Sequence, residues 1–265
     1  MKLSIITINR NNASGLRKTI ESVVSQTFKD FEYIVIDGAS TDESVDIIKL
    51  YSDKISYWVS EPDTGIYNAM NKGIKRTKGD YLLFLNSGDF LLDNDSIANV
   101  FAYDCMADIL CAKCNVSDNG KIVWTSNPPK EVTFGTLYYV GLAHQSTFIS
   151  RSLFDKYGCY DESFRYNADI EFWYRTIVGH NASTQKIDII TTDYNLDGIS
   201  TTQSATKQYQ NEMQKIFSNP LYKSFLPDYN QWKEERSKYA SLSWILNRPI
   251  LMKILDLYRR ILKHI

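Results

Sequence analysis

Short apolar runs that alternate with helical patterns dominate the N-terminal third of the chain and constrain its fold most strongly. The apolar runs cover residues 3–8, 31–36, 55–59 and 81–85, and helical patterns cover 16–26, 40–50 and 64–75. Strands that alternate with helices form parallel sheets with right-handed crossovers. We therefore predict an α/β fold with a mostly parallel, Rossmann-like sheet flanked by helices.

A polar or acidic cluster follows each apolar run, at residues 7–9, 37–40, 61–63 and 86–89. Open α/β sheets bind ligands just beyond the carboxyl ends of their strands, so we expect these clusters to meet at one rim. Asp89 should end an exposed turn there, and its carboxylate suits Mn²⁺ or Mg²⁺. The alternative is a turn that only ends the strand.

Local signals define the other elements. Ser40 and Glu43 have the spacing of a capping box, which predicts a helix start at Ser40. A hairpin is predicted over 109–115 and 121–125, around Asp118-Asn119-Gly120. Further strands are predicted at 145–149 and 186–191, helices at 152–156 and 167–178, and an irregular, aromatic-rich stretch from 128. The chain from residue 203 onward has a mainly helical pattern.

Composition excludes several classes of protein. The 265 residues suffice for one sizeable α/β domain and an appendage, and we place the boundary between residues 202 and 203. The formal net charge of −1 makes nucleic acid an unsuitable partner. We find neither a membrane-spanning apolar run nor a signal-peptide pattern, so the expected location is cytoplasmic.

The turn after the first strand is Asn9-Arg10-Asn11-Asn12, without glycine. A dinucleotide fold would carry a G-x-G-x-x-G turn there, and no Walker-A pattern is present either. The acidic clusters instead favour a nucleotide that is held through a metal ion.

Four segments, at residues 4–9, 35–42, 60–73 and 84–89, resemble the motifs of family 2 glycosyltransferases of the glycosyltransferase-A fold, in order and in spacing. The resemblance is to bacterial cell-surface polysaccharide transferases and covers about residues 1–200. It implies a catalytic domain over 1–202, with a helical C-terminal extension over 203–265. It also implies inverting, metal-dependent transfer from a nucleotide-diphosphate sugar, taken as a UDP-sugar, to a glycan or lipid-linked acceptor, as in capsule or O-antigen synthesis.

The resemblance assigns roles to individual residues. Thr7 and Asn9 would line the base and ribose, Asp37 would accept a hydrogen bond from the base, and Asp63 would lie close to either. Asp89 would bind Mn²⁺ or Mg²⁺ at the two phosphates, as part of a DxD-like element. The remaining donor-binding residues are Asn68, Lys72, Asn86, Ser87 and Gly88.

This chain departs from the family pattern at two places. The family usually has a proline soon after the first strand and two adjacent acids after the second, where this chain has Ile8-Asn9 and Asp37-Gly38. Asn86 and Gly88 stand where acids are common in the DxD element. One carboxylate would therefore hold the metal.

The resemblance also covers residues 166–175, where Asp169 matches the catalytic Asp of a Glu-Asp element and Ala168 replaces the Glu. Asp169 is thus predicted to be the general base. The alternative is an acid placed in the first turn of a helix, where the helix dipole favours it. His144, Gln145 and Tyr138 are assigned to the acceptor side, with a purely structural role as the alternative.

Residues 249–265 predict a basic amphipathic helix, with Lys253, Arg259, Arg260 and Lys263 on one side. Such a helix suits an anionic membrane surface, here the cytosolic face of the inner membrane. Packing on the catalytic domain or on a second subunit is the alternative.

Two other functions remain open on sequence alone. A nucleotidyltransferase acting on sugar phosphates also uses a metal and an acidic rim, but it usually has a glycine-rich basic loop that is absent after residue 8. The second is a non-catalytic sugar- or membrane-binding module. Release of a nucleoside diphosphate would separate these functions from glycosyl transfer.

Overall fold

The computed structural model describes residues 1–104, 106–118, 120–196 and 203–246. The chain divides into two compact units, Met1–Met213 and Gln214–Ile265. The first unit therefore continues beyond residue 202, the predicted end of the catalytic domain.

The first unit begins with the predicted α/β repeat, confirmed as β1 (Leu3–Asn9), α1 (Ala13–Val24), β2 (Phe31–Asp37), α2 (Ser44–Leu50), β3 (Tyr57–Ser60), α3 (Ile66–Ile74) and β4 (Tyr81–Phe84). Strand β1 pairs in parallel with β2 and β4, and β2 pairs in parallel with β3. Every residue of β1 and of β4 is buried, because helices cover both faces of a parallel sheet.

The rest of the first unit extends this sheet. Its elements are β5 (Phe90–Leu91), α4 (Ser96–Phe101), β6 (Ile109–Asp118), β7 (Lys121–Ser126), α5 (Phe134–Tyr139), a 3₁₀ turn (His144–Ser146), β8 (Thr147–Ser150), α6 (Arg151–Tyr157), α7 (Ala168–Trp173), a π-helical continuation (Tyr174–Val178) and β9 (Thr184–Asn195). The strand order is β3-β2-β1-β4-β8-β6-β9-β5, with β7 paired to β6. Antiparallel pairing of β4 with β8 makes the complete sheet mixed.

The predicted capping box is wrong. Helix α2 begins at Ser44, and its cap residue Glu43 makes no side-chain hydrogen bond. The Ser40 hydroxyl instead donates to Asp37, and the Asp42 carboxylate accepts from the Ser44 backbone N–H. Ser40 thus serves the end of β2 rather than the start of the helix.

The stretch predicted to be irregular contains a helix. Helix α5 is capped at its N-terminus by reciprocal hydrogen bonds between Thr133 and Thr136. The pattern escapes a search for Glu or Gln at the third helical position, because a threonine hydroxyl takes that place.

An apolar core joins the sheet to α1, α2 and α4. Leu16 and Ile20 of α1 and Ile97 of α4 pack with sheet residues such as Ile5 and Leu83, and all of them are fully buried. This packing fixes the strand ends from which the polar clusters emerge.

Helix α8 (Gln203–Phe217) contains the division between the two units, and α9 (Pro220–Lys223) and α10 (Leu226–Leu246) follow in the second. Pro220 begins α9 and Pro227 lies in the first turn of α10, where a missing N–H costs no helical hydrogen bond. In the part of the chain that is described, none of the helices is long and apolar enough to cross a membrane. The predicted amphipathic helix over 249–265 lies outside the described residues.

Candidate active site at the carboxyl ends of the strands

Asp37, at the end of β2, connects the ends of three parallel strands. Its buried carboxylate accepts from Asn9 Nδ2 at 2.8 Å, from the Ser40 hydroxyl at 2.5 Å and backbone at 2.9 Å, and from the Ser60 hydroxyl at 2.6 Å. The Oδ1 atom of Asn9 is buried without a partner. Asn9 and Asp37 therefore meet as predicted, and Asn9 Oδ1 remains a buried acceptor without a donor.

Asp63 lies directly against Gly38. A Cβ at position 38 would lie 2.2 Å from Asp63 Oδ2, and Arg10 Nη1 lies 4.0 Å from the other carboxylate oxygen. The carboxylate of Asp63 thus fills the space that the side chain of a second acid after Asp37 would enter. This explains the glycine at the place where the family has an acid.

Thr7 lies beneath the rim. Its hydroxyl donates to the Leu85 carbonyl at 2.7 Å and accepts from Tyr33 at 3.0 Å, and the residue is fully buried. Thr7 therefore forms hydrogen bonds that link β1 to β2 and to the residue after β4.

Asn68 and Lys72 project from α3 toward neighbouring loops. Asn68 Nδ2 donates to Glu162 at 2.8 Å. Lys72 Nζ contacts Glu61 at 2.8 Å and donates to the Pro62 carbonyl at 2.7 Å. Lys72 thereby holds the loop that carries Asp63.

The DxD-like turn after β4 is anchored to α1. The Ser87 carbonyl accepts from Asn12 Nδ2 at 3.0 Å, and the Gly88 N–H donates to the Thr19 hydroxyl at 3.0 Å. Gly88 has a φ of 108°, a conformation that side-chain-bearing residues rarely adopt. Glycine is therefore required where the family pattern has an acid.

Asp89 is buried, with 5% of its surface exposed, so the expectation of an exposed turn is wrong. The reason is that β9 runs to Asn195, beyond its predicted end at 191, and places Asp193 opposite Phe90. Burial raises the pKa of Asp89 to about 7, with a smaller upward effect from Asp193, while the charge of His144 and backbone hydrogen bonds from Asn195 and Asn86 lower it.

Two carboxylates lie near each other at the end of the DxD-like turn. Asp89 and the nearby Asp193 offer the carboxylate oxygens that Mn²⁺ and Mg²⁺ prefer. Among the described side chains, no group of three or more His, Cys, Asp or Glu residues is placed to hold a metal ion. A cation at Asp89 would therefore depend on oxygens of a bound diphosphate and of water for its remaining ligands.

Asp169 is held between two side chains from distant parts of the sequence. The Tyr67 hydroxyl lies 2.9 Å from Asp169 Oδ1, and His144 Nδ1 lies 3.2 Å from Oδ2. His144 Nε2 lies 3.3 Å from Asn86 Nδ2. A continuous line of polar contacts thus connects the DxD-like turn to the predicted base.

The electrostatics of His144 and Tyr67 follow from these contacts. Burial alone would lower the pKa of His144, but the hydrogen bond and charge of Asp169, with the charge of Asp89, raise it overall. Burial and the charge of Asp169 raise the pKa of Tyr67 well above its ordinary value. Tyr67 therefore remains protonated, and its one hydroxyl hydrogen is shared between the Asp169 carboxylate and the Tyr166 carbonyl, which lies 2.7 Å away.

The other two residues assigned to the acceptor side have different surroundings. Gln145 is buried in the 3₁₀ turn beside His144. Tyr138 stacks on Phe134 with ring centroids 6.3 Å apart and contacts the Tyr139 ring edge-on. The structure brings Asn86, His144 and Asp169 together through polar contacts, whereas Tyr138 contacts the rings of Phe134 and Tyr139.

Sequence reasoning missed the role of Tyr67, which contacts a residue 102 positions away. Tyr67 stands inside one of the family-like segments, but its spacing gives no sign of a distant partner. An apolar helix face with one tyrosine is usually core packing, and only the fold shows the polar contact.

The fold is that of the glycosyltransferase-A class. It is similar to Staphylococcus aureus TarS 1–349 in complex with UDP-GlcNAc, with a TM-score of 0.61, 21% identity, and coverage of 74% of this chain and 58% of that one. It is also similar to the mannosyltransferase PcManGT from Pyrobaculum calidifontis in complex with GDP-Man and Mn²⁺. There the TM-score is 0.59 at 12% identity, over 98% of this chain and 80% of that one.

The pattern of Glycosyl transferase family 2 matches residues 4–158, and the chain belongs to this family. An uncharacterized glycosyltransferase, Rv1514c of Mycobacterium tuberculosis, is 34% identical over 180 residues, which are 64% of this chain and 66% of that protein. The PGL/p-HBAD biosynthesis glycosyltransferase Rv2957 of the same organism is 29% identical over 211 residues, 75% of this chain and 79% of its own.

Proposed function

We propose that the chain is an inverting, metal-dependent glycosyltransferase that moves a sugar from a UDP-sugar to a glycan or lipid-linked acceptor in cell-surface polysaccharide synthesis. The observation that carries this proposal is the position of Asp169, oriented by Tyr67 and His144 and linked through Asn86 to the DxD-like turn. Membership of glycosyltransferase family 2 supports the reaction class.

Asp169 acts as the general base. Its carboxylate takes the proton of the acceptor hydroxyl while the hydroxyl oxygen bonds to the anomeric carbon and the bond to the diphosphate breaks. Attack on the face opposite the leaving group inverts the anomeric centre. Tyr67 and His144 hold both carboxylate oxygens in fixed directions, which favours a productive geometry.

Asp89 would hold the divalent cation, Mn²⁺ or Mg²⁺, and Asn86, Ser87 and Gly88 would form the turn beside the phosphates. Bound there, the cation would stabilise the negative charge that grows on the leaving diphosphate. The nearby carboxylate of Asp193 adds negative charge that favours a cation.

The nucleotide lies at the ends of β1 to β3. Asn9 contributes its unpartnered buried Oδ1 as an acceptor for the base, beside Asp37. Asp63, kept in place by Gly38 and the Lys72 loop, faces the ribose or base. The TarS structure contains UDP-GlcNAc, which supports a uridine donor. The PcManGT structure contains GDP-Man and Mn²⁺, so GDP-sugars must be tested as donors beside UDP-sugars.

The acceptor approaches from the side of His144, Gln145 and Tyr138. A relative named for PGL/p-HBAD biosynthesis supports a glycolipid or glycan acceptor. Residues 249–265 would bring the enzyme to a lipid-linked acceptor at the cytosolic face of the membrane. If this is so, deleting 249–265 abolishes binding to vesicles that contain anionic lipid, and unchanged binding contradicts the membrane role.

The test of the function is release of nucleoside diphosphate from UDP- and GDP-sugars with Mn²⁺ or Mg²⁺ and a lipid-linked acceptor. Release of UDP that requires both acceptor and cation supports the proposal. Release of pyrophosphate from a nucleoside triphosphate and a sugar phosphate would show a nucleotidyltransferase instead. Binding of the donor without any release, across the acceptors tested, would favour a non-catalytic module.

A further inference from the structure

Glu212, on α8, is a buried carboxylate with four donors. Its oxygens accept from three successive backbone N–H groups, those of Arg165 at 2.8 Å, Tyr166 at 3.0 Å and Asn167 at 3.0 Å. The Gln208 amide donates to it at 2.9 Å, and only 3% of the residue is exposed. An ionised carboxylate, which accepts at both oxygens and donates nothing, suits such a set of donors.

The segment that Glu212 clamps, residues 165–167, leads directly into the proposed base. Asn167 is the residue before α7, which carries Asp169 in its first turn, and Asn167 Nδ2 donates to the Tyr209 carbonyl at 3.0 Å. Helix α3 reaches the same segment, since the Tyr67 hydroxyl lies 2.7 Å from the carbonyl of residue 166. Helix α8 and Tyr67 thus hold the segment before α7 from two sides.

We infer that Glu212 is a positioning residue for the transfer reaction, because it fixes the backbone from which Asp169 reaches Tyr67 and His144. This inference rests on the proposed role of Asp169 as the base. Glu212 lies outside the span that matches the family pattern, residues 4–158, and inside the first compact unit. The part of α8 up to Met213 thereby helps to position the base.

The test is the variant Glu212→Gln, which keeps the shape of the side chain. Its amide has a single acceptor oxygen, and its NH₂ group would oppose backbone N–H groups that the carboxylate accepts. We expect kcat to fall by about 10- to 100-fold, as for a small misplacement of a catalytic group, with the donor KM little changed.

A second readout separates positioning from general loss of structure. The chain has 3 histidines, so the ring signals of His144 can be followed by NMR titration, without added metal. If Glu212 positions Asp169, the pKa of His144 in E212Q falls toward its value in D169N while the circular dichroism spectrum stays native. An unchanged His144 pKa and an unchanged kcat in folded E212Q overturn the inference.

Two further variants complete the experiment. Glu212→Asp retains the carboxylate, so its kcat and its His144 pKa should lie between those of E212Q and those of the wild type. If E212Q does not fold, E212D replaces it as the test. No recovery in folded E212D would contradict the inference. Glu234→Gln, which changes an exposed glutamate of α10, is the control and should change neither quantity.

Failure of the inference differs from failure of the proposed function. If D169N abolishes transfer but E212Q behaves as wild type, only the role of Glu212 is wrong. If D169N transfers sugar at the wild-type rate, the proposed base is wrong, whatever E212Q does to His144.

Discussion

His144 Nδ1 lies 3.2 Å from Asp169 Oδ2, although the two residues are 25 positions apart and belong to different elements. The 3₁₀ turn before β8 carries the histidine, and the first turn of α7 carries the aspartate. Their meeting links the donor side of the rim to the proposed base.

Replacing Asp169 by Asn should abolish most of the transfer activity. The amide cannot accept the acceptor proton, and general-base catalysis contributes about 10²- to 10⁴-fold. Donor binding, measured by calorimetry with the UDP-sugar, should persist, because Asp169 does not hold the nucleotide. The exposed variant Asp53→Asn is the control, and a fully active D169N enzyme would remove Asp169 from the mechanism.

His144 should make the free energy of unfolding depend on pH. Its pKa is raised in the folded state, so its stabilisation is complete below the unfolded pKa of about 6.5 and is lost as pH rises through the folded pKa. Urea unfolding of H144Q should therefore show the largest deficit at low pH. The comparison is made in a D89N background, because burial raises the pKa of Asp89 to about 7, within the same range.

The matched control for this titration is His180, an exposed ring that stacks on Tyr157 with centroids 4.1 Å apart. The variant H180Q should not reproduce the pH-dependent deficit of H144Q. Equal deficits at low and high pH in H144Q would show that the contact with Asp169 does not favour the protonated ring.

Replacing Gly38 by Ala should weaken donor binding more than it weakens the fold. The new Cβ would lie 2.2 Å from Asp63 Oδ2, the movable end of a side chain, so Asp63 turns away. We expect the donor KM of G38A to approach that of D63A, with a change in stability below about 1 kcal/mol. In the double variant the two effects on KM should not add, since both remove the same carboxylate. Full additivity would separate Gly38 from Asp63.

Replacing Asp89 by Ala should remove the stimulation of turnover by Mn²⁺ or Mg²⁺. Asp89 is the proposed protein ligand in the DxD-like turn, and its loss removes the carboxylate that this turn would offer to the cation. The measurement is release of nucleoside diphosphate across a metal titration, with Asp95→Asn as the control. Unchanged metal stimulation in D89A would move the cation site elsewhere.

The α/β repeat could be predicted from sequence because each strand of the parallel part is a short apolar run bounded by polar turns. Helix starts were harder to predict, since Ser40 has the right spacing for a cap but bonds to Asp37 instead. Burial of Asp89 could not be foreseen, because it depends on β9, whose last residues carry no apolar pattern.

Sequence patterns identified candidate site residues in local motifs, but not the contacts that depend on the fold. Asp37, Asp89 and Asp169 stand in recognisable segments. Tyr67 and Glu212 hold Asp169 and its backbone from positions that no spacing rule connects to it. Only the path of the chain in space brings them together.

The hydrogen bonds between Glu212 and the backbone of residues 165–167 limit how far the chain can be shortened. A protein cut back to residue 202 would retain every family motif and still lose the acceptor for three consecutive backbone amides. These amides would then bond to water instead of a carboxylate, and a hydrogen bond to a charged group contributes about 1.5–3 kcal/mol. A trimmed enzyme of that length should therefore hold the backbone before Asp169 less firmly, although all its motifs are present.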